Sequence, residues 1–243
     1  MKVTYIEHSG VSVELADSVL LFDYYRGELP SFSQDKTLYV FASHRHPDHY
    51  TADIFRLAKQ YSRIHYILSH DISFHHKSSP MELMGKELYQ GGQVVFADAH
   101  KQFVVEQALV ETLHSTDTGV AYLVEIEDKI IYHAGDLNWW HWNGESKAYN
   151  RNMEVNYKRE IDRMAAILCK QKVDLSFLPL DPRLEDNFAQ GMSYYMQTIP
   201  FLKIMPIHMW GQYEWIDRYR DILPEKLRAA VLKITCEGDT FML

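Results

Sequence analysis

Four potential metal ligands fall within residues 44–49 (HRHPDH). Three imidazoles and one carboxylate so close together suit borderline divalent cations such as zinc, manganese and iron. In an extended segment alternate side chains point the same way, so His44, His46 and Asp48 would face one side. Asp48 and His49 would act together only if the chain turns just before them. One loop could then serve two neighbouring metal ions, whereas the alternative is a polar surface turn that contains histidines.

Residues 44–49 directly follow the apolar run 38–42, and four later stretches have the same arrangement. They are 109–113 before His114, 130–134 before Asp136, 176–180 before Asp181, and 204–207 before His208. A loop at the end of a core strand is a common place for chemistry, and strand ends of one sheet meet at one edge. We therefore expect these polar residues to lie close to residues 44–49, although Asp181 receives no role.

The composition is that of a globular protein rather than a nucleic-acid-binding or membrane protein. The chain has 243 residues, is expected to form a single domain (1–243), and carries a net charge of −8. An acidic balance argues against nucleic acid as the main partner. Cys169 and Cys236 show no metal-type spacing, and no apolar window is long enough to span a membrane. Because no signal-peptide pattern is visible, we expect a cytoplasmic protein.

The residue patterns predict a mixed order of strands and helices. Predicted strands are 3–6, 11–15, 19–22, 38–42, 64–68, 93–96, 103–105, 108–113, 121–126, 130–133, 174–178, 204–207, 231–235 and 240–243. Predicted helices are 51–60, 81–88, 154–171, 192–199, 214–222 and 225–230. The order fits an α+β fold, with two sheets faced by helices, better than a wheel of βαβ units.

The series of potential ligands resembles that of the metallo-β-lactamase-fold hydrolases. The resemblance rests on His-x-His-x-Asp-His at 44–49, followed in order by His114, Asp136 and His208. It implies an αβ/βα sandwich of two mixed β-sheets flanked by helices. Within that superfamily, residues 8–10 (HSG) and 115–119 (STDTG) look most like the sugar-phosphate-lactonase-like bacterial group.

The same resemblance implies a site with two divalent metal ions, zinc first, with manganese and iron also open. It implies that His44, His46 and His114 bind the first ion, that Asp48, His49 and His208 bind the second, and that Asp136 bridges both. A metal-bound hydroxide would then attack an ester-like bond, in a lactone or phosphoester of a small anionic molecule. Asp48 and His208 are the residues expected to take part in catalysis.

Residues around this ligand set keep more than one interpretation. Asp23 resembles the aspartate that supports a metal-binding histidine in this family, or is a turn residue. His8 either reaches the site or is a surface histidine. The segment 139–142 (WWHW) is either an aromatic wall for a planar or apolar substrate group or a contact in a homo-oligomer.

Charged and histidine side chains near the site also keep simpler interpretations. Arg45 and Arg183 are either anchors for an anionic substrate or simply surface or salt-bridged arginines. His133 is expected to be structural. The histidines at positions 70, 75 and 76 are expected in a loop and are not assigned to metal.

Two functions from other classes remain open on the same fold. One is a di-iron redox protein, which usually needs a flavin domain for which this chain has no room. The other is a metal-binding protein without catalysis, acting as a sensor or scaffold. A filled set of seven ligand positions favours the hydrolase over the metal-binding protein without catalysis.

Overall fold

The computed structural model describes residues 1–72 and 79–243, so the histidines at positions 75 and 76 lie outside the described residues. The chain divides into two compact units, one formed by residues 1–98 and 237–243 and the other by residues 99–236. The single domain expected for residues 1–243 stays a prediction.

The described residues contain strands, α-helices and short 3₁₀ segments. The strands are β1 (Lys2–Glu7), β2 (Gly10–Glu14), β3 (Ser18–Phe22), β4 (Thr37–Ala42), β5 (Ile64–Ser69), β6 (Val94–Ala97), β7 (Gln102–Val105), β8 (Ala108–His114), β9 (Val120–Ile126), β10 (Lys129–His133), β11 (Val173–Pro179), β12 (Phe201–Ile207) and β13 (Thr240–Met242). The α-helices are α1 (Pro80–Gln90), α2 (Lys147–Leu168), α3 (Gln190–Thr198), α4 (Glu214–Ile222) and α5 (Glu225–Arg228). Short 3₁₀ segments occur at Ala52–Lys59, His70–Ile72 and Pro182–Asn187.

The first unit is built on a mixed sheet in the order β13-β1-β2-β3-β4-β5-β6. The pairs from β13 to β3 are antiparallel, and those from β3 to β6 are parallel. Strands β1, β3, β4 and β5 therefore run in the same direction, and their carboxyl ends reach one edge of the sheet. One face packs against the segment Ala52–Lys59, where Phe55 is fully buried.

The second unit is built on a mixed sheet in the order β12-β11-β10-β9-β8-β7. The pairs from β7 to β10 are antiparallel, whereas β10, β11 and β12 are parallel. The carboxyl ends of β8, β10, β11 and β12 consequently share an edge. Two mixed sheets with flanking helices confirm the expected fold class, that of the metallo-β-lactamase fold.

Three sequence-based element predictions differ from the structure, the first being the helix predicted at 51–60, which is the 3₁₀ segment Ala52–Lys59. Helix α2 begins at Lys147, well before the predicted start at residue 154, because Ser146 caps it by accepting a hydrogen bond from Tyr149 N. Its first two turns lack the apolar repeat that predicts the rest of the helix. The strand predicted at 231–235 is wrong, since in that run only Val231 forms a bridge, to Ile204. Its apolar side chains are buried without a strand ladder.

Candidate metal centre

The loop after β4 closes into a tight turn. The carbonyl oxygen of His46 accepts hydrogen bonds from the backbone N–H groups of His49 (3.0 Å) and Tyr50 (2.9 Å). This turn breaks the alternation expected of an extended segment, so Asp48 does not face the same way as His44 and His46. Asp48 Oδ2 lies 4.0 Å from His49 Nε2, while His44 Nε2 lies 3.0 Å from His46 Nδ1. The four side chains thus form two adjacent pairs.

Asp23, directly after β3, orients His49. Its buried Oδ2 accepts hydrogen bonds from His49 Nδ1 (2.8 Å) and from Ser43 Oγ (2.7 Å), and its Oδ1 accepts one from Ser43 N (2.7 Å). With Nδ1–H donated to a carboxylate, the lone pair of His49 is on Nε2, which faces Asp48. Of the two interpretations of Asp23, the structure supports the orienting one.

Ser43 extends the same control to His44. The Ser43 hydroxyl gives its hydrogen to Asp23, so it accepts from His44 Nδ1 at 3.0 Å. The lone pair of His44 is then on Nε2. A single buried carboxylate therefore sets the tautomer of two histidines, and both present Nε2 as a potential ligand atom.

His8 lies beside the Asp48–His49 pair at the turn between β1 and β2. It is 4% exposed, so its interpretation as a surface histidine is wrong. Its Nε2 is 3.5 Å from Asp48 Oδ2, and its ring meets the His49 ring edge-on at 5.5 Å between centroids. Ligand atoms of His8, Asp48 and His49 all lie within 4.8 Å of one another.

The electrostatic surroundings keep Asp48 ionised. Burial alone would raise the pKa of its carboxyl group, but the adjacent imidazoles of His8 and His49 hold that pKa well below its usual range. An ionised carboxylate next to imidazole nitrogens is a set of donors that a divalent cation can use at neutral pH.

In the second unit, the ends of β10, β11 and β12 bring Asp136, Asp181 and His208 together. His208 Nδ1 bonds to Asp181 Oδ2 at 2.8 Å, and His208 Nε2 lies 3.3 Å from Asp136 Oδ1. Asp181 is fully buried. It therefore orients His208 as Asp23 orients His49, a role that sequence analysis did not assign. The available signal was an aspartate and a histidine at the ends of two strands that turned out to be neighbours.

Arg183 pairs with Asp181. Its Nε lies 3.0 Å from both carboxylate oxygens, and its Nη2 lies 2.6 Å from Oδ2. Burial opposes ionisation of Asp181, but the hydrogen bonds from His208 and Arg183 lower its pKa to about 2. The guanidinium carbon also lies over the rings of Trp142 (5.6 Å) and Trp210 (4.6 Å). Of its two interpretations, a salt-bridged arginine describes Arg183 better than a substrate anchor.

The aromatic segment 139–142 borders this ligand pair within the second unit. Trp140 donates from Nε1 to the carbonyl oxygen of Asp136 (2.9 Å), and its ring lies edge-on to His208, with centroids 5.5 Å apart. Trp142 stacks parallel to Trp140 at 6.0 Å. The amide of Asn150 in α2 fixes Trp142 by bonding to both its backbone N–H and its C=O. These contacts support a wall beside the site, and the oligomer contact stays a prediction.

His114 is placed differently from the other predicted ligands of the second unit. It ends β8 with its side chain exposed, and its backbone N–H donates to Glu160 Oε2 at 3.1 Å. Glu160 is 1% exposed and also bonds to His100. Asp117 instead has a carboxylate oxygen within 4.8 Å of one from Asp136. Sequence analysis assigned no role to Glu160 or Asp117.

Other polar residues have structural surroundings. His133 is fully buried, accepts a hydrogen bond from Gly135 N (3.1 Å) and packs against Phe177, as expected of a structural histidine. Arg45 is exposed, and its backbone N–H donates to Asp71 Oδ2. His70 is exposed, with Nδ1 3.5 Å from Asp98.

The donors present fit divalent metal ions. In each unit a buried carboxylate bonds to Nδ1 of a histidine, and Nε2 of that histidine faces a second carboxylate. This is the arrangement in which proteins present imidazole to zinc, manganese or iron, because the outer carboxylate fixes the tautomer and raises the basicity of the ligand nitrogen. The residues of both units can therefore bind metal.

The structure also bears on a membrane role. Within the described part of the chain, no helix is both long enough and apolar enough to cross a bilayer.

Comparisons with known proteins agree with this architecture. Over its full length the chain is 24% identical to the UPF0173 metal-dependent hydrolase YtkL of Bacillus subtilis, whose full length is also covered. The solved structure of Igni18, a metallo hydrolase from the archaeon Ignicoccus hospitalis, covers the whole chain with a TM-score of 0.62 at 15% identity and is itself covered to 98%. CmlA, a diiron β-hydroxylase from Streptomyces venezuelae, covers the whole chain with a TM-score of 0.59 at 12% identity, but only 54% of CmlA is covered.

The two structural likenesses show the fold alone. The family model for the beta-lactamase superfamily domain matches residues 2–151, well over half of the chain. The chain therefore belongs to the beta-lactamase superfamily.

Proposed function

We propose that this protein is a binuclear metal-dependent hydrolase that cleaves an ester-like bond, in a lactone or a phosphoester of a small anionic substrate. The observation that carries the proposal is the repeated pair of a buried carboxylate and a histidine, Asp23 with His49 and Asp181 with His208. A histidine that donates its Nδ1–H to a carboxylate and presents Nε2 is typical of metal sites. The description of the Bacillus subtilis relative as a metal-dependent hydrolase supports the same activity.

The ligand assignment that we propose follows the family resemblance. One ion would be held by His44, His46 and His114, and the other by Asp48, His49 and His208. Asp136 would contribute to both. Zinc is the first choice, and manganese or iron would suit the same donors.

Bound divalent ions would supply Lewis acidity and a water of lowered pKa at neutral pH. The chain's own residues would do the rest. Asp48, ionised and partly exposed, has a carboxylate that can orient the attacking water by accepting a hydrogen bond from it. His208, oriented by Asp181, would lie beside the bond that breaks and take part in its cleavage. Trp140 and Trp142 would exclude water from one side of the substrate and contact its apolar or planar part.

The test is metal content by elemental analysis, paired with hydrolysis of a generic lactone and a generic phosphodiester. Close to two ions per chain, with hydrolysis lost on chelation and restored by zinc or manganese, is the expected result. The ratio of the two rates would choose between the ester classes. Protein without stoichiometric metal, prepared without chelators, would refute the proposal.

The same experiment separates the two other functions. A fully metallated protein with no turnover on a broad ester panel would favour a non-catalytic metal-binding role. A redox-active di-iron absorption spectrum would favour the redox protein.

A further inference from the structure

We propose that His8 is a ligand, through Nε2, of the metal ion that Asp48 and His49 bind. The inference rests on the proposed function and adds a ligand to the seven derived there. It concerns residues of the first unit alone, and it gives a role to a histidine that lies 40 residues before Asp48 in the sequence.

Distances favour ligation over a hydrogen bond. Metal–ligand bonds of about 2.0–2.2 Å place two ligand atoms roughly 3.3–3.6 Å apart at a tetrahedral angle, and up to about 4.2 Å apart at wider angles. From Asp48 Oδ2, His8 Nε2 is at 3.5 Å and His49 Nε2 at 4.0 Å. A hydrogen bond between nitrogen and oxygen normally measures about 2.7–3.2 Å. The spacing therefore matches atoms that share an ion.

The backbone at His8 is strained. Its φ is +52°, in the left-handed region, which a residue with a side chain adopts at a cost of about 1–2 kcal/mol. The β1–β2 register also shifts between Tyr5 and Glu7, just before this turn. Such strain persists where the surroundings enforce it and is commonly found at functional sites.

Contacts on both sides of His8 hold the turn in place. The buried carboxylate of Glu7 accepts hydrogen bonds from Tyr25 Oη at 3.0 Å and from the Arg26 guanidinium. On the other side, a Cβ added to Gly10 would lie 3.0 Å from Glu7 O and 3.2 Å from Asp23 O. The turn thus packs directly on the backbone of Asp23, the residue that orients His49. His8 and His49 are positioned by one connected set of contacts.

The test compares wild type with His8→Gly and His8→Gln. Glycine removes the imidazole and tolerates the positive φ, so the fold should be kept. Glutamine keeps a hydrogen-bond donor but lacks the imidazole. Apo protein is loaded with Co²⁺ or Zn²⁺, and affinity is measured by competition with a chromophoric chelator. The Co²⁺ absorption spectrum reports the number and type of ligands independently of any activity.

Loss of an orienting residue typically weakens metal binding about 10- to 100-fold, so loss of a ligand should weaken one ion by at least about 100-fold. In His8→Gly we expect this loss of affinity for one ion, unchanged affinity for the other, and a changed Co²⁺ spectrum. Free imidazole should restore the lost affinity in His8→Gly but not in His8→Gln. Unchanged affinity and spectrum in His8→Gly, or full recovery in His8→Gln, would overturn the proposal.

Glu127→Gly is the matched control. Glu127 also has a positive φ (+49°), at the turn between β9 and β10, so glycine there relieves the same kind of strain away from the ligands. Its metal affinity should equal that of wild type. Wild type that binds no metal would refute the proposed function itself, whereas equal affinities for both ions in wild type and in His8→Gly would refute only the role of His8.

Discussion

Replacing Asp23 by asparagine tests whether this buried carboxylate fixes a histidine tautomer. Three groups donate hydrogen bonds to its carboxylate: Ser43 N–H, Ser43 Oγ–H and His49 Nδ1–H. A carboxylate accepts all three, but an asparagine side chain has only one oxygen. Asp23→Asn keeps the shape of the side chain and must turn one acceptor into a donor.

Each orientation of the new amide has a definite cost. If its NH₂ replaces Oδ1, it faces Ser43 N–H, and an unsatisfied buried donor costs about 1–3 kcal/mol. If it replaces Oδ2, the Ser43 hydroxyl can rotate, but His49 must move its proton from Nδ1 to Nε2. In the first orientation the two remaining hydrogen bonds also lose the contribution of the negative charge, roughly 1 kcal/mol each. We expect the free energy of unfolding to fall by about 3–5 kcal/mol.

Metal affinity should fall with the tautomer. A proton on His49 Nε2 occupies the lone pair that would bind the ion, so we expect about 10- to 100-fold weaker binding of one ion, or about 1.4–2.7 kcal/mol. Chelator competition measures the affinity, urea unfolding of the apo protein measures stability, and long-range ¹H–¹⁵N spectra report the His49 tautomer. A folded variant with wild-type affinity and a proton still on Nδ1 would refute the reasoning.

The matched control is Asp53→Asn. The Asp53 side chain is 58% exposed and pairs only with the exposed Arg56 among the ion pairs of the described residues. Such surface pairs contribute about 0–1 kcal/mol, so stability should change by no more than about 0.5 kcal/mol and metal affinity should not change.

Three further substitutions test the second unit. Asp181→Asn should weaken one metal ion about 10- to 100-fold by disturbing His208, as chelator competition would show; unchanged affinity would contradict its orienting role. Trp140→Phe removes the hydrogen bond to Asp136 O but keeps an aromatic ring, so the free energy of unfolding should fall by about 0.5–1.5 kcal/mol. An unchanged midpoint of urea unfolding would contradict this. Glu160→Gln weakens two hydrogen bonds at a buried carboxylate and should destabilise the apo protein by about 1–3 kcal/mol, whereas an unchanged midpoint would show that they contribute nothing.

The fold was largely predictable from sequence because its strands are apolar runs bounded by turns. Strands β4, β8, β10 and β12 were found in this way, each ending at or just before a polar residue. The same signal failed at 231–235, where apolar residues are buried without pairing. It also missed the first residues of α2, whose start depends on a cap from Ser146 rather than on an apolar repeat.

The site was less predictable, because residue types do not reveal which groups contact each other. The pairing of Asp48 with His49 depends on two hydrogen bonds to the backbone oxygen of His46. The position of His8 depends on the pairing of β1 with β2, and the partner of His208 depends on β11 lying beside β12. These are properties of the folded backbone, whereas the residue types that could bind metal can be identified from the sequence.

The pairing of Arg183 changes how an anionic substrate would be recognised. As a candidate anchor, it would have offered a positive charge to the substrate. In the structure its guanidinium is bound by Asp181 through both carboxylate oxygens, so most of its charge is compensated locally. Attraction for a negative group would then come mainly from the divalent ions. We therefore expect removal of the metal to abolish the binding of an anionic product analogue as well as turnover, whereas Arg183→Gln should weaken that binding by less than about tenfold. Equilibrium binding to apo, metallated and variant protein measures both effects, and strong binding to the apo protein would show that side chains supply the charge.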